Sequence, residues 1–161
     1  MLRTIRRQKG FTLTEMLVAA AILAILAGAA MPLAKIAVQR EKEIELQRGL
    51  RLIREAIDAY KKMADEKKID IEDDSQGYPP KLETLVNGVT LKADPKDKTS
   101  GEKLVKFLRR IPEDPMTHSK EWGLLSSQDA PDAGSWGEQN VYDVYTKSRR
   151  IALDGTKYRD W

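Results

Sequence analysis

The chain has 161 residues, no cysteine, one histidine, and 28 basic against 25 acidic side chains. The absence of cysteine excludes disulfides, thiolate metal sites and cysteine nucleophiles. Arg3, Arg6, Arg7 and Lys9 fall within the first ten residues, which hold no acid, so residues 11–161 carry 24 bases and 25 acids; the basic balance is therefore no argument for nucleic-acid binding.

In chain order, the basic leader meets Gly10-Phe11-Thr12-Leu13-Thr14-Glu15, and an uncharged run of 19 residues follows from Met16 to Ala34. As a helix this run is about 28 Å long, enough for a hydrocarbon core of about 30 Å. The leader cations place the amino side in the cytoplasm and the remainder outside by the positive-inside rule. Gly28 and Pro32 are tolerated in membrane helices. A cleavable secretory signal is the competing reading, with Ala27-Gly28-Ala29 as its small-residue cleavage pattern. Glu15 is out of place before the apolar stretch of such a signal, and the helical pattern continues past Ala29.

After Ala34 the pattern turns amphipathic. Leu46, Leu50, Ile53, Ile57, Tyr60 and Ala64 recur at steps of four and three, one stripe of an α-helix. Charges fill the other faces, with opposite pairs such as Arg51 and Glu55 worth a few tenths of a kcal/mol each. One helix is predicted from about Phe11 to Met63. Gly77-Tyr78-Pro79-Pro80 cannot extend a helix. A short helix is predicted over Lys81–Val86 with Asn87-Gly88 as its stop. A polar loop follows over Lys92–Gly101, then a second short helix over Glu102–Arg110. Pro112-Glu113-Asp114-Pro115 breaks the chain again. Three antiparallel strands are predicted at Glu121–Leu125, Val141–Tyr145 and Arg150–Leu153. Val141, Asp143 and Tyr145 are expected on one face of the second strand, Tyr142 and Val144 on the other.

The Gly10–Glu15 junction at the mouth of an apolar run resembles the processing site of type IV prepilins and type II secretion pseudopilins. The resemblance implies that a prepilin peptidase cuts between Gly10 and Phe11 and methylates the new amino group of Phe11. Glu15 becomes the fifth residue of the mature chain and takes the family's filament-assembly position, and Pro32, the twenty-second, stands where a helix-bending proline is usual. The order of long helix, Gly-Tyr-Pro turn, short helix, Pro-x-Asp-Pro turn and short sheet is similar to that of the type II secretion major pseudopilin along nearly the whole chain. The missing cysteines favour that branch over pilins stapled by a carboxyl-terminal disulfide.

The expected fold is α+β and type IV pilin-like, a long amino-terminal helix packed on a small antiparallel sheet. Its expected division is a removed leader 1–10, a membrane and filament-core helix 11–35, an amphipathic continuation 36–64 and a periplasmic domain 65–161. The implied function is a filament subunit driving protein export, single-pass in the bacterial inner membrane. The implied partners are the peptidase, other pseudopilin subunits and an inner-membrane assembly platform, with no nucleic acid. The alternative is a pilus or competence pilin, which favours a disulfide loop and an exposed basic patch. Neither is evident in the sequence.

No enzyme chemistry is expected. His118 and Ser119 are adjacent on a proline-rich turn, which does not assemble a nucleophile and base, and His118 is expected to be an exposed turn residue. No cofactor is expected apart from calcium. The family often binds it near the carboxyl terminus, which makes Asp154 and Asp160, with Asp129 and Asp132, its candidate ligands. Lys157 and Arg159 in the same segment oppose a cation, and an ordinary Asp154-Gly155 turn is the simpler reading. Trp122, Trp136, Trp161, Tyr142 and Tyr145 are expected in the core between sheet and helix.

Overall fold

A computed structural model describes residues 10–92, 103–130 and 133–161. The leader residues 1–9, residues 93–101 of the loop predicted over Lys92–Gly101, and residues Glu102, Pro131 and Asp132 lie outside the described residues. The chain divides into two compact units, Met1–Gln39 and Arg40–Trp161.

The architecture is the expected α+β arrangement. Helix α1 spans Leu13–Asp65, two residues later at each end than predicted. It stops in a left-handed turn at Lys67, φ 57°, where Lys68 N donates to Met63 O at 3.0 Å and Lys67 N to Ala64 O at 2.9 Å. This paired closure satisfies the last carbonyls without the usual glycine.

In the Arg40–Trp161 unit the predicted stripe is the core. Leu46, Leu50, Ile53, Ile57, Tyr60 and Ala64 are all buried, packed with Ile69, Leu85, Trp122, Val141, Val144 and Tyr158. Burying each large aliphatic chain contributes about 1.5–3 kcal/mol, far more than the surface ion pairs. Gly49, mid-helix, is explained by packing: a Cβ there would sit 3.3 Å from the Trp122 indole. That indole donates to Pro112 O at 2.9 Å, tying the proline turn to the helix.

Helix α2 spans Leu82–Asn87, and Gly88 at φ +88° turns the chain into strand β1, Val89–Thr90. A Cβ at Gly88 would meet Val105 O at 2.6 Å. The predicted helix over Glu102–Arg110 is not formed by its described residues. Leu104–Val105 is strand β2, antiparallel to β1, and Phe107 N and Leu108 N both donate to Leu85 O. The carbonyl at the end of α2 and the free edge of β1 capture these donors before a helical turn closes.

Strands β3, Gly123–Leu125, and β4, Asp143–Tyr145, form the second antiparallel pair. The third predicted strand is absent from it. Ile151 instead makes an isolated bridge with Lys157, and Ala152 N donates to Thr156 O at 2.8 Å, so 151–157 closes on itself as a tight hairpin around Asp154-Gly155. The predicted alternation also fails upstream of β4. Val141 and Val144 are both buried while Tyr142 is half exposed, because Val141 N pairs with Pro79 O and the strand begins only at Asp143.

Asp114 locks the second proline turn to this sheet. Its side chain is fully buried, accepts from Met116 N at 2.8 Å and accepts from the buried Thr146 hydroxyl. Asp114→Ala leaves two buried donors unpaired, a cost of about 3 kcal/mol. Thermal melting of the detergent-solubilised full chain is expected to fall by about 10 °C; a shift under 2 °C would mean that water or a neighbour replaces the carboxylate.

Candidate functional site

Phe11 is 83 % exposed, and nothing lies within 4 Å of a Cβ built on Gly10, whose φ is outside the left-handed range. Among the described residues, then, no contact and no backbone strain requires glycine at position 10.

Glu15 occupies the first turn of α1. Its Oε2 accepts from Thr12 N at 2.9 Å and from Thr12 Oγ1 at 3.0 Å, while Glu15 N donates to Thr12 Oγ1 at 3.3 Å. Thr12 caps the helix and Glu15, three residues on, answers it reciprocally. The Thr12-x-x-Glu15 spacing is a sequence-level capping signature that reveals this pairing without coordinates.

Beyond it, α1 contains an 18-residue window of mean hydropathy 2.4, none of it buried. Leu13, Met16, Leu17, Leu23, Ile25, Leu26, Met31 and Leu33 are all more than half exposed. An apolar surface of this extent is stable only against lipid or other apolar helices. Pro32 lies inside α1, where it removes the donor to the carbonyl four residues earlier.

At the carboxyl-terminal end Asp154 Oδ1 accepts from Thr156 Oγ1 at 2.7 Å and Thr156 N at 2.9 Å. These bonds hold its carboxyl below the usual aspartate range, the Thr156 hydroxyl first and the Thr156 amide second. The carboxylate is therefore spent on its own turn. Among the described residues no group of three His, Cys, Asp or Glu side chains converges, and Lys157 and Arg159 stand in the same segment. Among the described residues, Asp154 and Asp160 belong to no such group. EDTA is expected to leave the melting temperature of the solubilised full chain unchanged; a drop on chelation that millimolar Ca²⁺ reverses would contradict this.

Asp129, the other described calcium candidate, binds backbone instead: its Oδ2 accepts from Ser126 N at 2.7 Å and Gly137 N at 3.0 Å. The Ser126 amide, then the Gly137 amide, lowers its pKa. A carboxyl whose folded pKa is depressed stabilises above its unfolded value and loses that contribution as pH falls through the folded value. The loop 126–137 is thus expected to loosen below about pH 4. Melting of Asp129→Asn should lie below wild type at pH 7 and converge with it near pH 3; parallel curves would contradict the role.

The aromatic residues divide. Trp122 is in the core, Trp136 and Trp161 pack partly against it, and Tyr142 and Tyr145 stay outside the core cluster. Tyr142 meets Tyr78 edge-on with ring centroids 5.2 Å apart. The aromatic core role passes to Tyr60, which packs on Phe107, and to Tyr158. Arg54 joins helix and sheet: Nε donates to Asp143 Oδ1 at 2.6 Å and Nη1 to Trp161 O at 2.8 Å. His118 is exposed on its turn, with Nε2 3.3 Å from Lys42 Nζ and Nδ1 3.8 Å from Glu113.

Residues 147–159 bring Lys147, Arg149, Lys157 and Arg159 to the border of one groove. An exposed basic patch is therefore present, although sequence reading found none; residues far apart in the carboxyl-terminal hairpin supply it.

Residues 5–31 match the family model of the prokaryotic N-terminal methylation motif. The matched segment contains Gly10, Phe11 and Glu15, and it supports placing the chain in the type IV pilin-like superfamily, whose members are typically structural subunits. Searches of the curated proteins and of the solved structures gave no match.

Proposed function

We propose that the chain is a pseudopilin, a subunit cut after Gly10, methylated on Phe11, and assembled through its apolar amino-terminal helix into a periplasmic filament that drives protein export. The observation that carries the filament part of this reading is the methylation junction at the mouth of an apolar segment, in whose most apolar 18 residues nothing is buried. Before assembly, that surface is held in lipid as a single span, with the leader cytoplasmic and residues 65–161 periplasmic. During assembly it passes from lipid to neighbouring helices and never to water, which makes extraction energetically feasible. The absence of cysteine and the order of helix, Gly77-Tyr78-Pro79 turn, α2, Pro112–Pro115 turn and β3–β4 pair support the export branch. Deleting the chain in its host is expected to abolish secretion of extracellular enzymes while twitching and DNA uptake persist. The opposite pattern would assign it to a pilus or competence system.

A further inference from the structure

Two charged features of the Arg40–Trp161 unit have no role in the account above. The first is the groove of about 630 Å³ bordered by Tyr145, Lys147, Arg149, Lys157 and Arg159. Lys147 is tied to Glu121 at 3.3 Å. Arg159 lies 4.8 Å over the Tyr145 ring and donates to Ala133 O at 2.6 Å. Arg149 and Lys157 are exposed, and among the described residues no acid pairs with either. The second feature is the segment 70–74, which holds four acids in five residues. Asp70 pairs with Lys92 at 2.8 Å, whereas Glu72 and Asp74 are exposed with no cationic partner among the described residues. Their backbone is fixed, because Ser75, itself buried, donates to Glu72 O through N at 3.0 Å and through Oγ at 2.7 Å.

We propose that the basic groove receives the acidic turn of a neighbouring copy, with Arg149 and Lys157 of one subunit facing Glu72 and Asp74 of the next. The inference rests on the filament reading. Two different patches on one chain make a head-to-tail contact, and such contacts propagate as open helical polymers. Exposed ion pairs are individually weak, so the contact has little weight between free subunits. In a filament whose helices already hold neighbours together, the effective concentration is high and the same pairs fix the rotation between subunits. A short acidic turn also suits the site better than a long polyanion. The adjoining cleft alternates in sign, with Asp129, Asp143 and Asp160 beside Arg54, Lys157 and Arg159, whereas a uniformly anionic strand such as nucleic acid is matched by cations along its whole track.

The test is a charge swap in the full-length chain, expressed in its host and read by sheared-filament yield. Arg149→Glu with Lys157→Glu should lower the yield at least about tenfold, and Glu72→Lys with Asp74→Lys should do the same. All four changes together should restore most of it. Equal membrane levels and processing of each variant separate assembly from folding, and glutamine replacements at 149 and 157 serve if the reversals do not accumulate. Undiminished filaments in the reversal variants, or no recovery in the fourfold variant, overturn the proposal. Loss of binding to a labelled oligonucleotide with filaments intact also overturns it and assigns the groove to nucleic acid. Absence of filaments from the wild type itself would instead defeat the filament reading.

Discussion

Glu15→Leu is expected to insert in the membrane and be cleaved normally, yet to enter filaments about 100-fold less well than wild type. A carboxylate at hydrocarbon depth costs on the order of 2.5–3.5 kcal/mol, so Glu15 must be paid for by a partner. In the chain as described, that partner is Thr12, which offers its amide and its hydroxyl. Cleavage after Gly10 adds a second candidate, the new amino group of Phe11. If Glu15 of one subunit pairs with Phe11 of the next, both charges are neutralised only at the correct stagger, and the register of the filament follows. Leucine keeps the apolar surface and removes the pairing. The 100-fold loss is the factor corresponding to about 2.7 kcal/mol. Losing the capping box frays only the first turn, at a cost of about 0.5–2 kcal/mol. Thr12→Ala, which removes the hydroxyl half of that box and leaves the carboxylate, therefore separates the two roles: it should retain most filament yield. Normal yields from Glu15→Leu would reduce Glu15 to a helix cap.

Gly10→Val is expected to slow leader removal by on the order of 100-fold, the effect of misplacing a reacting bond by about an ångström. The described fold gives glycine no internal justification at this position, since a Cβ there meets nothing within 4 Å. The requirement is external. A peptidase that closes on an extended backbone needs the side-chain space left empty. The variant should accumulate as precursor in the membrane, visible as a slower band on immunoblots of membrane fractions. Wild-type processing of Gly10→Val would remove the steric argument.

What was legible in the sequence follows a physical line. The stripe from Leu46 to Ala64 and the apolar run from Met16 to Ala34 are set by local periodicity, and α1 appears where both place it. The core partners of that stripe needed tertiary contacts. Leu104 and Val105 have no strand signal of their own, yet they pair with β1 because Gly88 aims Val89–Thr90 at them. Ile151 carries strand character, yet the Asp154-Gly155 turn folds its segment back on Lys157 before it reaches the sheet. At the candidate site, the Gly10–Glu15 junction is contiguous, and the methylation-motif match covers it. The Thr12 cap is readable from the Thr12-x-x-Glu15 spacing alone. The basic groove was not readable, since Lys147, Arg149, Lys157 and Arg159 are joined only by the closure of the hairpin.

The most direct measurement is the intact mass and amino-terminal sequence of the protein taken from its native membrane. The account predicts a chain that begins at Phe11 and carries one added methyl group on its amino nitrogen. A chain that still begins at Met1, or one cut after Ala29 as a secretory signal would be, contradicts it.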